Sequence, residues 1–154
     1  MARATIDLSP QPPSRATLLK IIGNTFILSM IAQLAESHVL VEKAGLGVDA
    51  LQQFIGLVFP GPYEVYSKRM STGDYWRRRE PLFGVQLARK DAGHALDVGE
   101  RHGVRLNMVQ TAVGYLSEVK DGGDVAGMYG AARARAGLKF ENGDEGVRLD
   151  GGGS

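Results

Sequence analysis

Apolar residues recur along most of the chain at the three- and four-residue spacing of α-helices. Between Leu18 and Ala35 they occupy nearly every side of one segment, which predicts a long helix from Ser14 to about Ala44. Ser14 is the expected N-cap, and Gly45 can adopt the left-handed conformation that ends a helix. Because this helix has almost no polar side, we expect it to be central and surrounded by protein. One small domain covers such a helix poorly, so we expect a second subunit of a homodimer to supply the missing cover.

Five shorter helices follow from the same periodicity. They are predicted at Val48 to about Val58, Tyr63 to about Ser71, Leu82 to His102, Leu106 to Val119 and Val125 to about Leu138. Asp124 is the expected N-cap of the last one. The stretch from Thr72 to Pro81 lacks sustained periodicity and is predicted to be a loop that lies against the body through Trp76.

One short alternation of apolar and polar residues predicts a strand from Ala4 to Ser9, closed by prolines. No other part of the sequence predicts a partner strand, so the segment is either a remnant of a sheet formed elsewhere, which we favour, or a disordered lead-in. The expected organisation is an extended lead-in at 1–13, an all-α domain at 14–140 and a flexible tail at 141–154. The tail ends in Gly-Gly-Gly-Ser, which resembles an engineered linker.

Composition narrows the possible functions. Eighteen basic and seventeen acidic residues give a net charge of +1, which does not favour a nucleic-acid partner. The absence of cysteine excludes disulfides and thiolate metal sites and fits a cytoplasmic location. The uncharged stretch from Ile21 to Ala35 is short and interrupted by Asn24, Ser29 and Gln33, so we expect a buried helix and no membrane span.

Lys20 and Asn24 are the first candidates for chemistry. Their spacing of four puts the ammonium and the amide on one face of the long helix. A lysine among apolar neighbours would be partly desolvated, which would lower its pKa and suit it to proton transfer. The alternative is that Lys20 extends into solvent while Asn24 bonds a neighbouring turn.

Lys90 and Asp91 are the second candidates, on the helix predicted from Leu82. Adjacent residues point in different directions, so one could face a ligand while the other anchors the helix, or both could simply be solvated. His94 lies on the face of Lys90 but lacks a second metal ligand at suitable spacing, and we predict no metal site.

Two motifs in order resemble a known family. Residues 19–24 (LKIIGN), followed by Glu36 and by 45–48 (GLGV), resemble the start of the C-terminal domain of β-hydroxyacid dehydrogenases of the 3-hydroxyisobutyrate and 6-phosphogluconate dehydrogenase type. Residues 83–91 (FGVQLARKD) resemble that domain's later Lys-Asp signature. Where the family usually has two glycines, this chain has Ser14 and Ala16, so substrate identity does not carry over.

The resemblance implies a fold and a set of roles. The fold would be an all-helical domain with a long central helix, assembled as an intertwined homodimer. Lys20 would be the general acid and base at the substrate oxygen, and Asn24 would help to place the substrate. Lys90 and Asp91 would lie near the nicotinamide end of NAD or NADP, and the substrate would be a small hydroxy acid or a related carbonyl compound.

The sequence is compatible with three functions. The chain is the C-terminal half of an NAD(P)-dependent oxidoreductase, or a free-standing helical dimerisation or binding protein, or a non-redox isomerase or lyase that uses Lys20 as proton donor. The sequence contains no glycine-rich turn between a strand and a helix. We therefore expect this chain alone neither to bind the cofactor tightly nor to act as a dehydrogenase.

Overall fold

The structure, a computed structural model, describes residues 6–143. Within that range the chain forms seven α-helices and one short 3₁₀ helix, and it contains no strand. The elements are α1 Pro13–Lys43, α2 Val48–Val58, α3 Pro62–Ser71, α4 Asp74–Arg77, α5 Val85–Arg101, α6 Asn107–Leu116, the 3₁₀ helix Val125–Gly127 and α7 Met128–Arg135. The prediction of an all-α fold is confirmed.

The predicted N-terminal strand is wrong for the residues of it that are described. Gln11 N–H donates to the Leu8 carbonyl at 2.8 Å, and Ser9 N–H donates to the Asp7 carboxylate at 2.8 Å, which fold this segment into a turn. The physical reason is that no strand within residues 6–143 lies beside it to pair its backbone. Ala4 and Thr5, which begin the predicted strand, lie outside the described residues.

The ends of α1 follow simple backbone chemistry. The helix begins at Pro13, with Pro12 rather than Ser14 in the N-cap position. Proline suits the first helical turn because its φ is already helical and its missing N–H would have no partner there. At the other end Gly45 has a φ of 72°, and its N–H donates to Glu42 while Leu46 N–H donates to Val41, a pattern that confirms the predicted glycine stop.

α1 is central to the domain, but only its C-terminal half is buried. It packs against α2, α3, α5, α6 and α7. Leu28, Ile31 and Ala35 are fully buried, whereas Phe26 is 72% exposed. By length and composition α1 could cross a membrane, yet the residues from Leu28 to Val39 contribute to the core of the helical body. Too few elements of this chain lie beside the first half of α1 to cover it, so the expected cover by a second subunit stays a prediction.

Asp124 organises the junction between α3, α5 and α7. One carboxylate oxygen accepts the backbone N–H groups of Leu82 at 2.8 Å and Phe83 at 3.2 Å. The other accepts the N–H of Ala126 at 2.8 Å and lies 2.5 Å from the buried Arg69 guanidinium. The predicted N-cap is confirmed, and the same side chain also fixes the segment before α5.

These bonds explain why α5 starts later than predicted. The prediction began the helix at Leu82, whereas the structure begins it at Val85. Val125 N–H donates to the Phe83 carbonyl at 2.8 Å and Val85 N–H donates to the Gly123 carbonyl at 2.9 Å, so the residues before Val85 pair with the Gly123–Val125 segment. A helical path there would break those bonds.

The stretch predicted as a loop from Thr72 to Pro81 contains the one-turn helix α4. Trp76 contacts the core as expected, and its indole N–H donates to Asn142 Oδ1 at 3.1 Å. The Asn142 amide donates in turn to the carbonyls of Met70 and Ser71, both at 2.9 Å. Asn142 thus attaches the start of the predicted tail to α3 and α4, while residues 144–154 lie outside the described range.

His38 makes the stability of the fold depend on pH. Its side chain is fully buried on α1, with Nε2 2.9 Å from Ser67 Oγ and its ring against the edge of Tyr129. Burial lowers the pKa of His38 from 6.5 to about 4. Because the folded protein resists protonation that the unfolded chain accepts, stability is complete above pH 6.5 and is lost as the pH falls toward 4.

We expect this proton linkage to lower the free energy of unfolding by about 3 kcal/mol between pH 7 and pH 4. Urea unfolding across that range measures it. His38→Gln should flatten the pH dependence, whereas His94→Gln, at an exposed site on α5, should leave it unchanged. Equal pH profiles for the parent chain and His38→Gln would contradict the assignment.

Candidate functional site

Asn24 and Asp91 meet where α1 crosses α5. The Asn24 amide nitrogen donates to Asp91 Oδ2 at 2.9 Å, and both residues are half-buried. They are separated by 67 positions in the sequence. The structure therefore brings together one residue from each of the two motifs identified in the sequence.

The local packing explains this contact. Asn24 precedes the buried Leu28 by four residues and so lies on the core-facing side of α1. On α5, Ala88 and Ala92 are fully buried and flank the position of Asp91. Small side chains at those positions allow the helix backbone to lie close to its neighbours, which puts the short Asp91 side chain within reach of Asn24.

Lys20 lies one helical turn before Asn24. Its side chain is exposed and forms no hydrogen bond or ion pair with residues 6–143. The desolvation expected from its apolar sequence neighbours is not provided by the described residues, because Leu19 and Ile22 are themselves substantially exposed. Lys20 is free to reach a group bound beside Asn24.

Lys90 is exposed on α5, next to Asp91 in sequence but on a different side of the helix. Its neighbour His94 is exposed as well. No group of three or more histidine, aspartate or glutamate side chains in residues 6–143 could hold a metal ion. The juxtaposition that the structure establishes is therefore Asn24 with Asp91, with the two lysines near it along the chain.

This arrangement has a defined hydrogen-bonding capacity. Asp91 takes one amide proton of Asn24, which fixes the orientation of that amide. The second amide proton and the carbonyl oxygen of Asn24 remain available for a ligand. With the three donors of the Lys20 ammonium a turn away, the pair can bind an oxygen-bearing substrate and exchange a proton with it.

Arg89 is a positioning residue that sequence reasoning did not identify. Its guanidinium donates to the carbonyls of Leu116 at 2.8 Å and Val119 at 2.6 Å, and pairs with Asp121 at 2.6 Å. These bonds attach the first turns of α5, which carry Lys90 and Asp91, to the end of α6. Residue spacing could not reveal them, because the partners are backbone carbonyls at and just after the end of α6, about thirty residues away.

An apolar groove of about 310 Å³ lies beside the site, between the first half of α1 and the second half of α5. Its lining is almost entirely apolar and includes Leu18, Ile21, Ile22, Ala95, Val98 and Leu106. Gly99 forms part of it, where a Cβ would come within 2.6 Å of the Val104 carbonyl. The groove joins the exposed apolar surface of α1.

The fold is that of a helical dehydrogenase domain. The crystal structure of 3-hydroxyisobutyrate dehydrogenase from Salmonella typhimurium is similar, with a TM-score of 0.64 at 21% identity over 73% of this chain and 40% of that one. NADH-dependent oxidoreductase ucdB from Aspergillus ustus is 31% identical over 143 residues. 2-(Hydroxymethyl)glutarate dehydrogenase from Eubacterium barkeri is 30% identical over 137 residues. No protein-family model matches the chain.

The chain is therefore similar in sequence to two oxidoreductases and in fold to a 3-hydroxyisobutyrate dehydrogenase, which is consistent with the C-terminal helical domain that its two motifs resemble. The alignments cover 90% and 87% of this chain but only 50% and 42% of the two curated relatives. The chain thus spans about half the length of the curated relatives it matches.

Proposed function

We propose that this domain is the substrate-binding half of an NAD(P)-dependent oxidoreductase that acts on a small hydroxy acid. The observation that carries the proposal is the hydrogen bond between Asn24 and Asp91, which unites the two family-like motifs at one place. Relatives of the chain named as an NADH-dependent oxidoreductase and as 2-(hydroxymethyl)glutarate dehydrogenase support the reaction class.

In the proposed mechanism Lys20 holds the proton that moves during the reaction. When a hydroxyl is oxidised, the Lys20 amine takes the hydroxyl proton, and in the reverse direction the ammonium returns it to the carbonyl oxygen. Asn24, oriented by Asp91, binds the same oxygen through its free amide proton. Since Lys20 is exposed among the described residues, a second domain or subunit would have to cover it and exclude water.

The residues present fit the cofactor only in part. When bound, a nicotinamide cofactor supplies the hydride acceptor or donor. Lys90 and Asp91, at the start of α5, would contact polar groups near its nicotinamide end. Within residues 6–143 there is no strand and so no glycine-rich turn from strand to helix to hold the pyrophosphate. One charge-assisted contact is worth roughly 1.5–3 kcal/mol, far below the roughly 8 kcal/mol of micromolar binding.

Activity measured with and without a nucleotide-binding domain tests the proposal. We expect the chain alone to show no micromolar affinity for NAD or NADP by calorimetry and no turnover of 3-hydroxy acids. Joined after the nucleotide-binding domain of a related dehydrogenase, it should gain both. Turnover by the chain alone, or binding without turnover in a well-folded joined protein, would contradict the proposed role. The latter result would favour a binding protein built on the same fold.

We propose that a second copy of the chain covers the exposed first half of α1. Phe26 projects from that half at 72% exposure, and Ile22 and Met108 are also exposed nearby. The apolar groove of about 310 Å³ lies on the same half of the helix. A twofold interface places the same surface on both subunits, so Phe26 of each copy can enter the groove of the other.

Phe26→Asp should therefore dissociate a dimer that the unmodified chain forms at micromolar concentration, because a carboxylate would be buried without a partner. Sedimentation velocity measures the change. Leu57→Asp is the matched control, since Leu57 is 85% exposed on α2, away from the groove, and should leave the dimer intact. A well-folded monomer of the unmodified chain would contradict this assembly.

A further inference from the structure

We propose that a cleft between α4 and the turn before the 3₁₀ helix binds the phosphate group of a small organic phosphate monoester. The cleft has a volume of about 470 Å³. Its lining contains Arg77, Arg79 and Lys120 but neither Lys20, Asn24, Lys90 nor Asp91. It is thus separate from the dehydrogenase site and does not depend on the function proposed for that site.

The floor of the cleft is aromatic. Tyr75 is buried, with its ring 5.8 Å from that of Phe140, and Trp76 lies beside them. The Arg77 guanidinium stacks over the Trp76 ring at 4.8 Å, so one cation is already placed at the edge of this floor. A ligand here meets an apolar surface below and charged groups at the rim.

The opposite wall of the cleft is the turn that contains Lys120 and Gly123, and backbone hydrogen bonds hold it in place. Gly123 N–H donates to the Lys120 carbonyl at 3.0 Å, and the Gly123 carbonyl accepts from Val85 N–H at 2.9 Å. Asp124, which follows, is fixed by Arg69 and by three backbone N–H groups. The turn that carries Lys120 is therefore anchored to the core, and the width of the cleft is set by the fold.

The charges in the cleft do not cancel. Three charged residues of the lining are neutralised by ion pairs: Arg78 with Asp74 at 3.1 Å, Glu118 with Arg135 at 2.6 Å and Asp124 with Arg69. Within residues 6–143, Arg77, Arg79 and Lys120 form no ion pair, and Glu141 is the remaining carboxylate of the lining. Three positive charges and one negative charge leave the cleft with two positive charges.

This charge and shape favour one class of ligand. A phosphate monoester carries a charge of about −1.5 to −2 at neutral pH, which matches the unbalanced charge of the cleft. Guanidinium groups bind phosphate oxygens through paired hydrogen bonds, and the Lys120 ammonium adds a point charge. The volume exceeds that of a phosphate group, so the organic part of the monoester would lie on Tyr75, Trp76 and Phe140.

Titrations of the full chain with phenyl phosphate, inorganic phosphate and phenol, followed by amide NMR shifts, test the proposal. Phenyl phosphate should bind most tightly and shift the signals of residues 75–81 and 120–124. Arg79→Gln combined with Lys120→Gln should weaken it about tenfold or more, because two charge-assisted contacts are lost. Lys68→Gln combined with Arg101→Gln, which removes the same charge from exposed sites elsewhere, should change the affinity less than about twofold.

Three results would overturn the proposal. Equal weakening by the two double variants would show a general charge effect with no site. Equal affinity for phenyl phosphate and inorganic phosphate would show that the aromatic floor takes no part and that free phosphate is the ligand. Shifts that map outside the cleft, or no shifts at all, would show that the cleft is unused. The parent chain and both variants are compared at one ionic strength, since screening weakens exposed charges.

Discussion

Lys20→Ala is expected to lower kcat by about 10²- to 10⁴-fold in a protein that joins this domain to a nucleotide-binding domain, which is the range that general acid and base catalysis contributes. The substitution removes the group proposed to exchange a proton with the substrate oxygen. Because the Lys20 side chain is exposed and forms no hydrogen bond or ion pair with the described residues, its loss should leave folding unchanged. Steady-state kinetics on a 3-hydroxy acid, with a thermal melt of each variant, measures both effects.

Lys20→Arg separates proton transfer from simple charge. Arginine keeps the positive charge but does not give up its proton in the working pH range, so we expect a loss nearly as large as that of alanine. Lys68→Ala, at an exposed position on α3, serves as the control and should retain full activity. If Lys20→Arg kept most of the activity, Lys20 would act by charge alone and the proposed proton transfer would be wrong.

Asp124→Ala is expected to give the largest loss of stability of any single substitution considered for this domain. It removes the closer ion-pair partner of the buried Arg69 guanidinium, at 2.5 Å, and leaves that group only Asp74 at 3.4 Å. It also removes the acceptor of three backbone N–H groups. Breaking one side of a buried pair costs about 3–5 kcal/mol, and loss of an N-cap adds about 1 kcal/mol. That is a large part of the roughly 5–15 kcal/mol that holds a domain folded.

Urea unfolding at pH 7 measures the loss of stability. A milder substitution at the same position keeps the test usable if Asp124→Ala does not fold. Asp124→Asn keeps one acceptor oxygen but loses the charge, so it should be destabilised less than the alanine variant. Asp97→Ala, at an exposed position on α5, should change the free energy of unfolding by less than about 0.5 kcal/mol. Similar values for Asp124→Ala and Asp97→Ala would show that Asp124 does not organise the junction.

Helical periodicity predicted the fold class and most helices, since each helix buries one face and leaves a regular pattern. The errors lie where partners distant in sequence decide the backbone path. The start of α5 depends on Asp124 and Gly123, about forty residues later, which no local pattern reveals. No strand forms at residues 6–9, where the sequence itself had predicted no partner strand within this chain.

The candidate site was predicted in part. Helical spacing put Lys20 and Asn24 on one face, and the family-like motifs added Lys90 and Asp91. The contact between Asn24 and Asp91 depends on how α1 and α5 cross, which follows from the buried alanines of α5 and could not be obtained from spacing. For Lys20 the sequence left desolvation and exposure to solvent as alternatives, because the apolar character of its neighbours does not show whether this chain covers them; in the structure Lys20 is exposed.

Because one half of α1 is buried in the core and the other half is exposed, binding at the exposed half affects the stability of the whole domain. The helix is continuous from Pro13 to Lys43, so the exposed first half is a direct extension of the rod that anchors the core. A partner that binds the exposed first half of α1 stabilises the folded state by its binding free energy. On dilution the partner dissociates and this stabilisation is lost. The melting temperature of this domain should then be a function of protein concentration, and a partner that binds α1 would act as a folding ligand for the whole body.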